Sequence, residues 1–358
     1  MGTDPADAVR QRIRDDGPIT FATFMELALY GPGGFYAEPP VGADGDFVTS
    51  PHVHPAFGTF VARALRALGD AIGAPSPLRV TEVGAGDGTL ARQILTELDA
   101  AYTAVEISAG ARRALTGIDG LEVRERLAAP VDLVLAHELL DNLPFRLVRA
   151  GHEVVIDLQG AELIERPAPI DDELAAVLHG VDTSGDLVVP IGALAFIDEL
   201  ASVLTQGYAL LIDYGDASGA GGEPHGYRDH RIVGDVLTAP GTTDITAGVD
   251  FGWVARRAEQ RGLRAFPSVL QSDALLALGF EPWYREELAR QQDHLASGRG
   301  LEAVRTWSAR SRASMLIDPG ALGRMRWLLL ATPGLPEPDW LREARGPKDR
   351  LTGETADG

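Results

Sequence analysis

Short runs of apolar and β-branched residues recur through the middle of the chain, and glycine or polar positions follow each run. These runs predict strands that begin near residues 79, 101, 121 and 131, and a later strand over 208–213. Helical periodicity lies between the runs, and after the first of them one side of a helix carries Leu90, Ile94, Leu95 and Leu98. Alternating strands and helices predict an α/β fold with a doubly wound sheet.

The flanking segments predict a helical N-terminal cap and several inserted elements. The predicted helices cover residues 1–16, 21–29 (with Thr20 as N-cap), 56–68, 171–178, 191–204, 252–261 and 273–278. We also expect a hairpin over 152–166 and a polar, frayed tail from residue 336. Two long loops, 31–51 and 214–250, are predicted to be functional. In the first, the aromatic residues Phe35, Tyr36 and Phe47 favour an ordered loop.

Composition excludes several classes of protein. The 358 residues are 45% apolar, which is enough for one large domain or a core with a second lobe. The absence of cysteine excludes disulfides and thiolate metal sites, and no apolar run is long enough to span a bilayer. A net charge of −20 repels nucleic acid; it favours a basic partner or merely keeps the protein soluble. The acidic N-terminus shows no signal or transit pattern, so we expect a cytoplasmic protein.

The stretch 78–90 carries the clearest functional signal. A strand enters a turn with three alternating glycines, Gly84, Gly86 and Gly88. This G-x-G-x-G pattern differs from the dinucleotide fingerprint because its third glycine comes one residue early and Thr89 stands where that glycine should be. Glu82 is predicted to direct its carboxylate at the turn, where it would repel a pyrophosphate and attract the cationic groups of S-adenosylmethionine. The alternative is a glycine turn in another kind of α/β protein.

Two further strand ends carry acidic residues. Glu106 follows the second strand, where a carboxylate either accepts both ribose hydroxyls or is an ordinary strand-end charge. The third strand, 131–136, is followed by His137, Glu138 and Asp141. Open α/β sheets bind ligands at the carboxyl ends of parallel strands. Because Glu138 and Asp141 are three positions apart, one helical turn would bring both carboxylates into one cavity.

Several motifs in order resemble those of the MidA-like class I methyltransferases. They are Gly-Pro-Ile-Thr at 17–20, Gly-Pro-Gly-Gly-Phe-Tyr at 31–36, Gly-Asp-Phe-Val-Thr-Ser-Pro at 45–51, the glycine turn, Ala-His-Glu-Leu-Leu-Asp-Asn-Leu-Pro at 136–144, Leu-Ile-Asp-Tyr-Gly at 211–215 and Pro-Gly-Thr-Thr-Asp-Ile-Thr-Ala-Gly-Val-Asp-Phe at 240–251. The family includes a mitochondrial complex I assembly factor that methylates a protein arginine. The resemblance covers about residues 17–333.

This resemblance implies a Rossmann-like class I methyltransferase that uses S-adenosyl-L-methionine. The expected domains are a cap with a cofactor-covering loop (1–73), a core (74–335) with insertions at about 145–190 and 214–280, and a polar tail (336–358). The expected cofactor-binding residues are Thr49, Ser50, Pro51, Glu82, Gly84, Ala85, Gly86, Glu106 and Ile107. We expect no metal and no nucleic-acid or membrane partner.

The resemblance also implies a set of catalytic residues. Glu138 is expected to be the acid on the acceptor side, with His137 beside the cofactor and Asp141 nearby. Carboxylates can hold a guanidinium bidentately and orient the nitrogen that receives the methyl group. Alternatively, Asp141 only caps the next helix, His137 only packs, and residues 49–51 only start a helix.

One departure from the family pattern leaves the acceptor open. Where the family commonly has Glu and Ser-Gln, this chain has His52 and His54. One of them is a candidate general base for a hydroxyl substrate. The two could also bind a metal, but no third ligand with a fitting spacing is evident. In a third interpretation they are structural or solvated, as loop histidines usually are. Asp213 and Asp250 either shape the substrate side or satisfy backbone donors. The leading function is N-methylation of arginine in a basic protein partner. The alternatives are methylation of a small-molecule or peptide hydroxyl or nitrogen, and a non-catalytic assembly factor.

Overall fold

The computed structural model describes residues 4–37, 49–74, 76–216, 223–228 and 231–346. Its α-helices are α1 (Pro5–Asp16), α2 (Phe21–Met25), α3 (Ser50–Val53), α4 (Ala56–Ile72), α5 (Thr89–Glu97), α6 (Ala109–Leu115), α7 (Asp172–Val177), α8 (Ile191–Val203), α9 (Phe251–Gln260), α10 (Gln271–Ala277), α11 (Phe280–Ala296), α12 (Gly300–Ser314) and α13 (Asp339–Arg345). A π-helix (Glu26–Tyr30) continues α2, and 3₁₀ turns cover Phe35–Ala37, Leu140–Asn142 and Leu322–Arg324.

The strands form a large central sheet and three smaller ones. They are β1 (Ile19–Thr20), β2 (Leu78–Val83), β3 (Ala100–Val105), β4 (Leu121–Arg124), β5 (Val131–His137), β6 (Arg146–Arg149), β7 (His152–Gln159), β8 (Glu162–Ala168), β9 (Leu187–Val189), β10 (Leu204–Asp213), β11 (Gly215–Asp216), β12 (His225–Arg228), β13 (Arg231–Val233), β14 (Asp244–Thr246), β15 (Val249–Asp250), β16 (Arg264–Ala265), β17 (Val269–Leu270) and β18 (Arg326–Ala331).

The central sheet has the order β16–β18–β10–β5–β2–β3–β4, with β17 also paired to β18. The strands β4, β3, β2, β5 and β10 are parallel, whereas β18 runs antiparallel to β10. Helices cover both faces: α4 and α5 pack on one with Phe57, Leu65 and Ile94, and α8 and α9 pack on the other with Phe196 and Val254. The predicted α/β fold with a doubly wound sheet is confirmed, and the antiparallel β18 is an addition that the apolar runs did not predict.

The N-terminal helices pack on a second sheet of order β1–β7–β6–β9, with β8 also paired to β7. The predicted hairpin over 152–166 is present as β7 and β8. Phe21 of α2 stacks on Phe145 at 5.3 Å, and Val9 and Ile13 of α1 join the same cluster as Ile156 of β7. Thr20 caps α2 as predicted, because its hydroxyl accepts the Thr23 N–H at 3.1 Å. The cap and the 145–190 insertion therefore share one core. The division into domains at residues 73 and 335 stays a prediction.

The prediction of a frayed tail from residue 336 is wrong for the part of it that the structure describes. Trp340 and Leu341 of α13 are buried, and the Trp340 ring lies 5.9 Å from that of Trp327. Two adjacent apolar side chains thus hold a locally polar helix against the core. Residues 347–358 lie outside the described residues. Within the described ranges, no helix is both long enough and apolar enough to cross a membrane.

The two long loops are only partly described. Residues 38–48 of the first, which include Phe47, lie outside the described residues, whereas Phe35 and Tyr36 pack together at 5.2 Å. The second loop contains a small sheet of order β13–β12–β14 and a β11–β15 pair. This segment is therefore more regular than its polar, glycine-rich composition indicated.

Candidate functional site

A cavity of about 1130 Å³ lies over the carboxyl ends of β2, β3, β5 and β10. Its wall includes the residues that directly follow these strands, and both long loops contribute to it. Open α/β sheets bind ligands at this edge because the ends of parallel strands leave a crevice there. Across the described residues, no group of three or more metal-ligating side chains is present.

The glycine turn and Glu106 form one end of this cavity. Gly84 and Gly86 line it and have φ values of 75° and 56°, a region that favours glycine. The Glu106 carboxylate accepts the Gly86 N–H at 3.1 Å and the Ser108 N–H at 2.8 Å. These bonds fix the carboxylate beside the turn, and each oxygen retains capacity for a second donor. Burial raises the pKa of Glu106, and the backbone donors oppose that shift.

Two predicted cofactor residues at the turn do not line the cavity. Glu82 is buried and accepts a hydrogen bond from the Tyr102 hydroxyl at 2.8 Å. Burial raises the pKa of Glu82 to about 8. A nearby cation would lower this pKa, so the shift shows that burial dominates the environment of the carboxyl group. Ala85 is buried beside Ala104 and Leu115. The prediction that Glu82 faces the ligand is wrong because side chains alternate along a strand and this one enters the sheet's core.

Of the Thr-Ser-Pro segment, residues 49–51, only the first residue lies on the cavity wall. Thr49 lines the cavity, and its hydroxyl lies 2.8 Å from Nδ1 of His52. The Ser50 hydroxyl is buried and accepts a hydrogen bond from Gln271 Nε2 at 3.3 Å. Ser50 and Pro51 begin α3, outside the cavity wall. The expectation that the Ser50 hydroxyl reaches the cofactor is therefore wrong, and the alternative of a helix start describes these two residues.

Glu138 and Asp141 both line the cavity, although no α-helix brings them together. Glu138 has a left-handed φ of 50°, and its N–H bonds to the Ile212 carbonyl at 2.9 Å. Asp213 then accepts the Leu139 and Leu140 N–H groups at 3.1 and 2.7 Å, which turns the chain into a 3₁₀ segment. A strained φ in a non-glycine residue is typical of functional sites.

Each of these acids has a buried oxygen without a hydrogen-bond partner. Glu138 Oε1 and Asp141 Oδ1 are buried and unsatisfied, whereas Asp141 Oδ2 accepts the Thr246 hydroxyl at 2.9 Å. Burial, together with the charge of Asp141, raises the pKa of Glu138 to about 8. Burial also raises the pKa of Asp141 to about 6, against the Thr246 hydrogen bond. Unsatisfied carboxylate oxygens of this kind attract a cationic ligand. The alternative that Asp141 caps a helix is not what the structure shows.

His137 lies at the end of β5 but does not line the cavity. Its Nε2 is 3.1 Å from Glu138 Oε1, outside hydrogen-bond geometry, and its ring packs 5.0 Å from Phe57. Burial and the nearby His52 lower the pKa of His137 to about 3, so the ring is neutral. The packing alternative describes His137 better than a position beside the cofactor.

Another acid on the cavity wall, Asp244, was not predicted from the sequence. It accepts the Tyr36 hydroxyl at 2.8 Å and an Asn142 N–H at 2.9 Å. Tyr30 stacks on Tyr36 at 5.5 Å, and both tyrosines line the cavity. Burial and the charge of Asp141 raise the pKa of Asp244 to about 7. Tyr36 belongs to the Gly-Pro-Gly-Gly-Phe-Tyr motif and Asp244 to the Pro-Gly-Thr-Thr-Asp motif. Nothing in either local sequence indicated that the two residues are in contact.

The cavity wall next to Glu106 includes a second set that sequence reasoning missed. Ile107 lines the cavity as predicted, and Glu125, Arg126 and Leu127 join it from the segment after β4. Strand β4 lies beside β3 at the edge of the sheet, which places this segment near Glu106. The only available signal was its position after a strand end.

The four remaining candidates have structural partners. His52 bridges Thr49 and Asp87, with its Nε2 3.0 Å from the Asp87 carboxylate. His54 Nδ1 accepts the Ala56 N–H at 3.1 Å, and burial lowers its pKa to about 4. Neither histidine lines the cavity, so the general-base and metal-pair readings are wrong for the described cavity.

Asp213 and Asp250 accept hydrogen bonds from backbone N–H groups, which was the second of the two alternatives for these residues. Asp213 is fully buried and accepts hydrogen bonds from the segment after β5. Asp250 caps α9 by accepting the Gly252 and Trp253 N–H groups. Asp213 therefore positions the backbone that follows β5, and Asp250 positions the first turn of α9.

The cavity fits a nucleoside that carries positive charge. Its glycine turn presents main chain without side chains, and Glu106 offers the acceptors that ribose hydroxyls need. Glu138 and Asp141 add two further carboxyl groups to the cavity wall. Strand β2 separates β3 from β5, so Glu106 and Glu138 follow strands about 10 Å apart at the usual spacing.

Comparison with known proteins agrees with this fit. The profile of a family described as S-adenosyl-L-methionine-dependent methyltransferase matches residues 60–269. The mitochondrial protein arginine methyltransferase NDUFAF7 of Homo sapiens is 30% identical over 69% of this chain and 67% of its own length. Its Drosophila melanogaster homolog is 28% identical over 92% of this chain and 85% of its own length.

A solved structure from Burkholderia thailandensis bound to S-adenosyl-homocysteine has a TM-score of 0.80 and 26% identity, and the match covers 94% of each chain. A second structure from the same organism, a native crystal structure, has a TM-score of 0.76 and 27% identity, with 93% of this chain and 92% of that chain covered. The predicted family and the predicted cofactor are thereby confirmed. The chain belongs to the family of S-adenosyl-L-methionine-dependent methyltransferases.

Proposed function

We propose that this methyltransferase transfers the methyl group to a nitrogen of an arginine side chain in a protein partner. The observation that carries the proposal is the pair of acidic residues, Glu138 and Asp141, on the wall of the cofactor cavity, each with a buried oxygen that has no hydrogen-bond partner. A guanidinium is a planar cation with several N–H donors, and it matches two carboxylates better than a hydroxyl or a point charge does. The relatives named protein arginine methyltransferases support the same acceptor.

The cofactor is proposed to bind between the glycine turn and the acids. Glu106 would accept the ribose hydroxyls, the Gly84–Gly86 main chain would border the chain of the amino acid, and Glu125–Leu127 would border the base. When bound there, S-adenosyl-L-methionine supplies an electrophilic methyl group on a sulfonium. Thr49 also lines the cavity.

The acids on the other side are proposed to hold and deprotonate the acceptor. Glu138 and Asp141 accept N–H groups of the guanidinium and so orient one nitrogen toward the methyl group. When the N–C bond forms and the C–S bond breaks, the attacking nitrogen gives up a proton, and the Glu138 carboxylate on the cavity wall accepts it. The raised pKa of Glu138, about 8, suits a group that must take a proton near neutral pH.

Other features bear on the partner. The alternative of a hydroxyl acceptor loses its motivation, because neither His52 nor His54 lines the cavity. The net charge of −20 favours a basic partner through electrostatic steering. The basic character of the partner and a cytoplasmic location stay predictions; the relatives are named mitochondrial.

The test is methyl transfer to defined peptides. The full chain is incubated with methyl-labelled cofactor and a basic peptide that contains arginine, or the same peptide with lysine or citrulline in its place. We expect label only in the arginine peptide and methylarginine by mass spectrometry. Label on lysine, or only on metabolites of a cell extract, would contradict the proposed acceptor.

A matched pair of variants assigns the role of the acid. Glu138→Gln removes the charge but keeps the shape, so transfer is expected to be lost while cofactor affinity, measured by calorimetry, is kept. Glu162→Gln makes the same change at an exposed position of β8 and is expected to leave transfer unchanged. Full activity of the Glu138→Gln variant would remove Glu138 from the mechanism.

A further inference from the structure

The helices α11 and α12 form an antiparallel hairpin, residues 280–314, which we term the arm. Its base is fixed to the core, because the rings of Phe280 and Trp283 lie 5.6 and 6.0 Å from that of Phe60. Beyond the base, α11 buries no further residue, and α12 buries only Ala303 and Ala313. Seventeen and fifteen residues give helices of about 25 and 22 Å, so the arm is long for so small a buried surface.

The two helices hold each other through polar contacts. Arg310 of α12 donates to Gln291 Oε1 of α11 at 3.1 Å, and its guanidinium lies 4.8 Å from the centre of the Tyr284 ring. These contacts define one side of α12.

An exposed stripe along α12 is apolar. Leu301, Val304 and Trp307 are 63%, 60% and 53% exposed, and spacing by three places them along one side of α12. Leu288 and Leu295 of α11 are also exposed and recur after seven residues, two helical turns. Of the nine large apolar side chains exposed in the described residues, these are five. Concentrated exposure of this kind marks an interaction surface.

The charge of the arm identifies the partner. The arm carries six arginines and five acidic residues, a formal charge of +1, in a chain whose net charge is −20. Within it, α11 has four acids and two arginines, whereas α12 has one acid and three arginines. Two copies of the chain would repel each other over most of their surfaces, but not here. A two-fold axis that sets α11 against α12 of the other copy pairs opposite charges.

We propose that the arm is a dimerisation surface, through which two copies of this chain join their α11–α12 hairpins in a four-helix bundle. Two helices alone leave this apolar stripe exposed, whereas four can enclose it between the pairs. The contact is isologous: α11 of each copy faces α12 of the other. This arrangement is independent of the acceptor that the cavity takes.

The first test is the mass of the full chain in solution. Sedimentation equilibrium between about 1 and 100 μM is expected to give twice the chain mass of 38.1 kDa. Trp307→Glu and Val304→Glu are each expected to raise the dissociation constant by about 30-fold or more, because central apolar residues dominate such interfaces. Ile232→Glu, at a side chain that is 70% exposed on β13, is the matched control and is expected to leave the dimer intact.

The second test exchanges charges between the helices. Arg305→Glu with Arg312→Glu on α12, and Glu286→Arg with Asp293→Arg on α11, are each expected to weaken the dimer. An equimolar mixture of the two double variants is expected to dimerise again. Far-UV circular dichroism and calorimetric titration with S-adenosyl-homocysteine check that every variant is folded.

Three results would overturn the proposal. They are a wild-type chain that is monomeric over the whole range, a dimer that Trp307→Glu does not weaken, and assemblies larger than a dimer. A mixture of the charge variants that stays monomeric would exclude the α11–α12 pairing and overturn it as well.

Discussion

The buried carboxylate of Glu138 makes methyl transfer depend on pH above neutrality. Its pKa is raised to about 8 by burial and by the charge of Asp141. A raised pKa means that the ligand-free group is mostly protonated at pH 7, with about one tenth ionised, and about nine tenths ionised at pH 9. If the ionised carboxylate binds the guanidinium and takes its proton, kcat/KM for the acceptor is expected to rise about tenfold between pH 7 and 9.

Asp141 and Asp244 do not explain this interval. The pKa of Asp244 is raised to about 7 and that of Asp141 to about 6, so both are largely ionised above pH 7.5. The assay is initial-rate methyl transfer to the arginine peptide at saturating cofactor, so that titration of the cofactor's own amino group does not enter. In Glu138→Gln the rise is expected to disappear, with rates at pH 9 reduced by about 10²–10³-fold.

A second measurement needs no turnover. Binding of the arginine peptide in the presence of S-adenosyl-homocysteine is expected to displace close to one proton from Glu138 at pH 7 and almost none at pH 9. Calorimetry in buffers of different ionisation enthalpy reports this number directly. A flat kcat/KM between pH 7 and 9 in the wild-type chain, or a rise that persists in Glu138→Gln, would refute the assignment of Glu138 as the ionising group.

Three further predictions follow from single side chains. Glu106→Ala is expected to weaken cofactor binding by about 10-fold or more without unfolding the chain, because its carboxylate holds the Gly86 N–H; unchanged affinity in calorimetry would exclude that role. Relative to the wild type, Glu82→Gln is expected to have a higher unfolding free energy at pH 8 than at pH 5, measured on the ligand-free chain by urea unfolding. The pKa of Glu82 is about 8 in the folded chain and about 4.3 in the unfolded chain. The unfolding free energy of the wild-type chain therefore falls as the pH rises through that interval. Arg146→Ala is expected to lower the unfolding free energy by about 3–5 kcal/mol, because it leaves the buried Glu153 without its guanidinium partner; a loss below ~1 kcal/mol would contradict this.

The sequence alone predicted the central strands, most of the helices between them and the place of the cofactor. Local rules govern these features: apolar runs form buried parallel strands, alternating glycines form the turn, and an acid after the next strand lies beside it. Gly84, Gly86, Glu106, Glu138 and Asp141 therefore lie on one cavity, as their positions after strand ends indicated.

The orientation of side chains and the meeting of distant segments depended on the tertiary structure. Glu82 and His137 stand beside functional positions in the sequence, yet packing against Tyr102 and Phe57 takes them out of the cavity wall. Asp244 joins the wall because a loop more than 200 residues after Tyr36 folds back against it. Local sequence determines which segment becomes a strand or a turn, whereas burial and long-range pairing decide which neighbours each polar group meets.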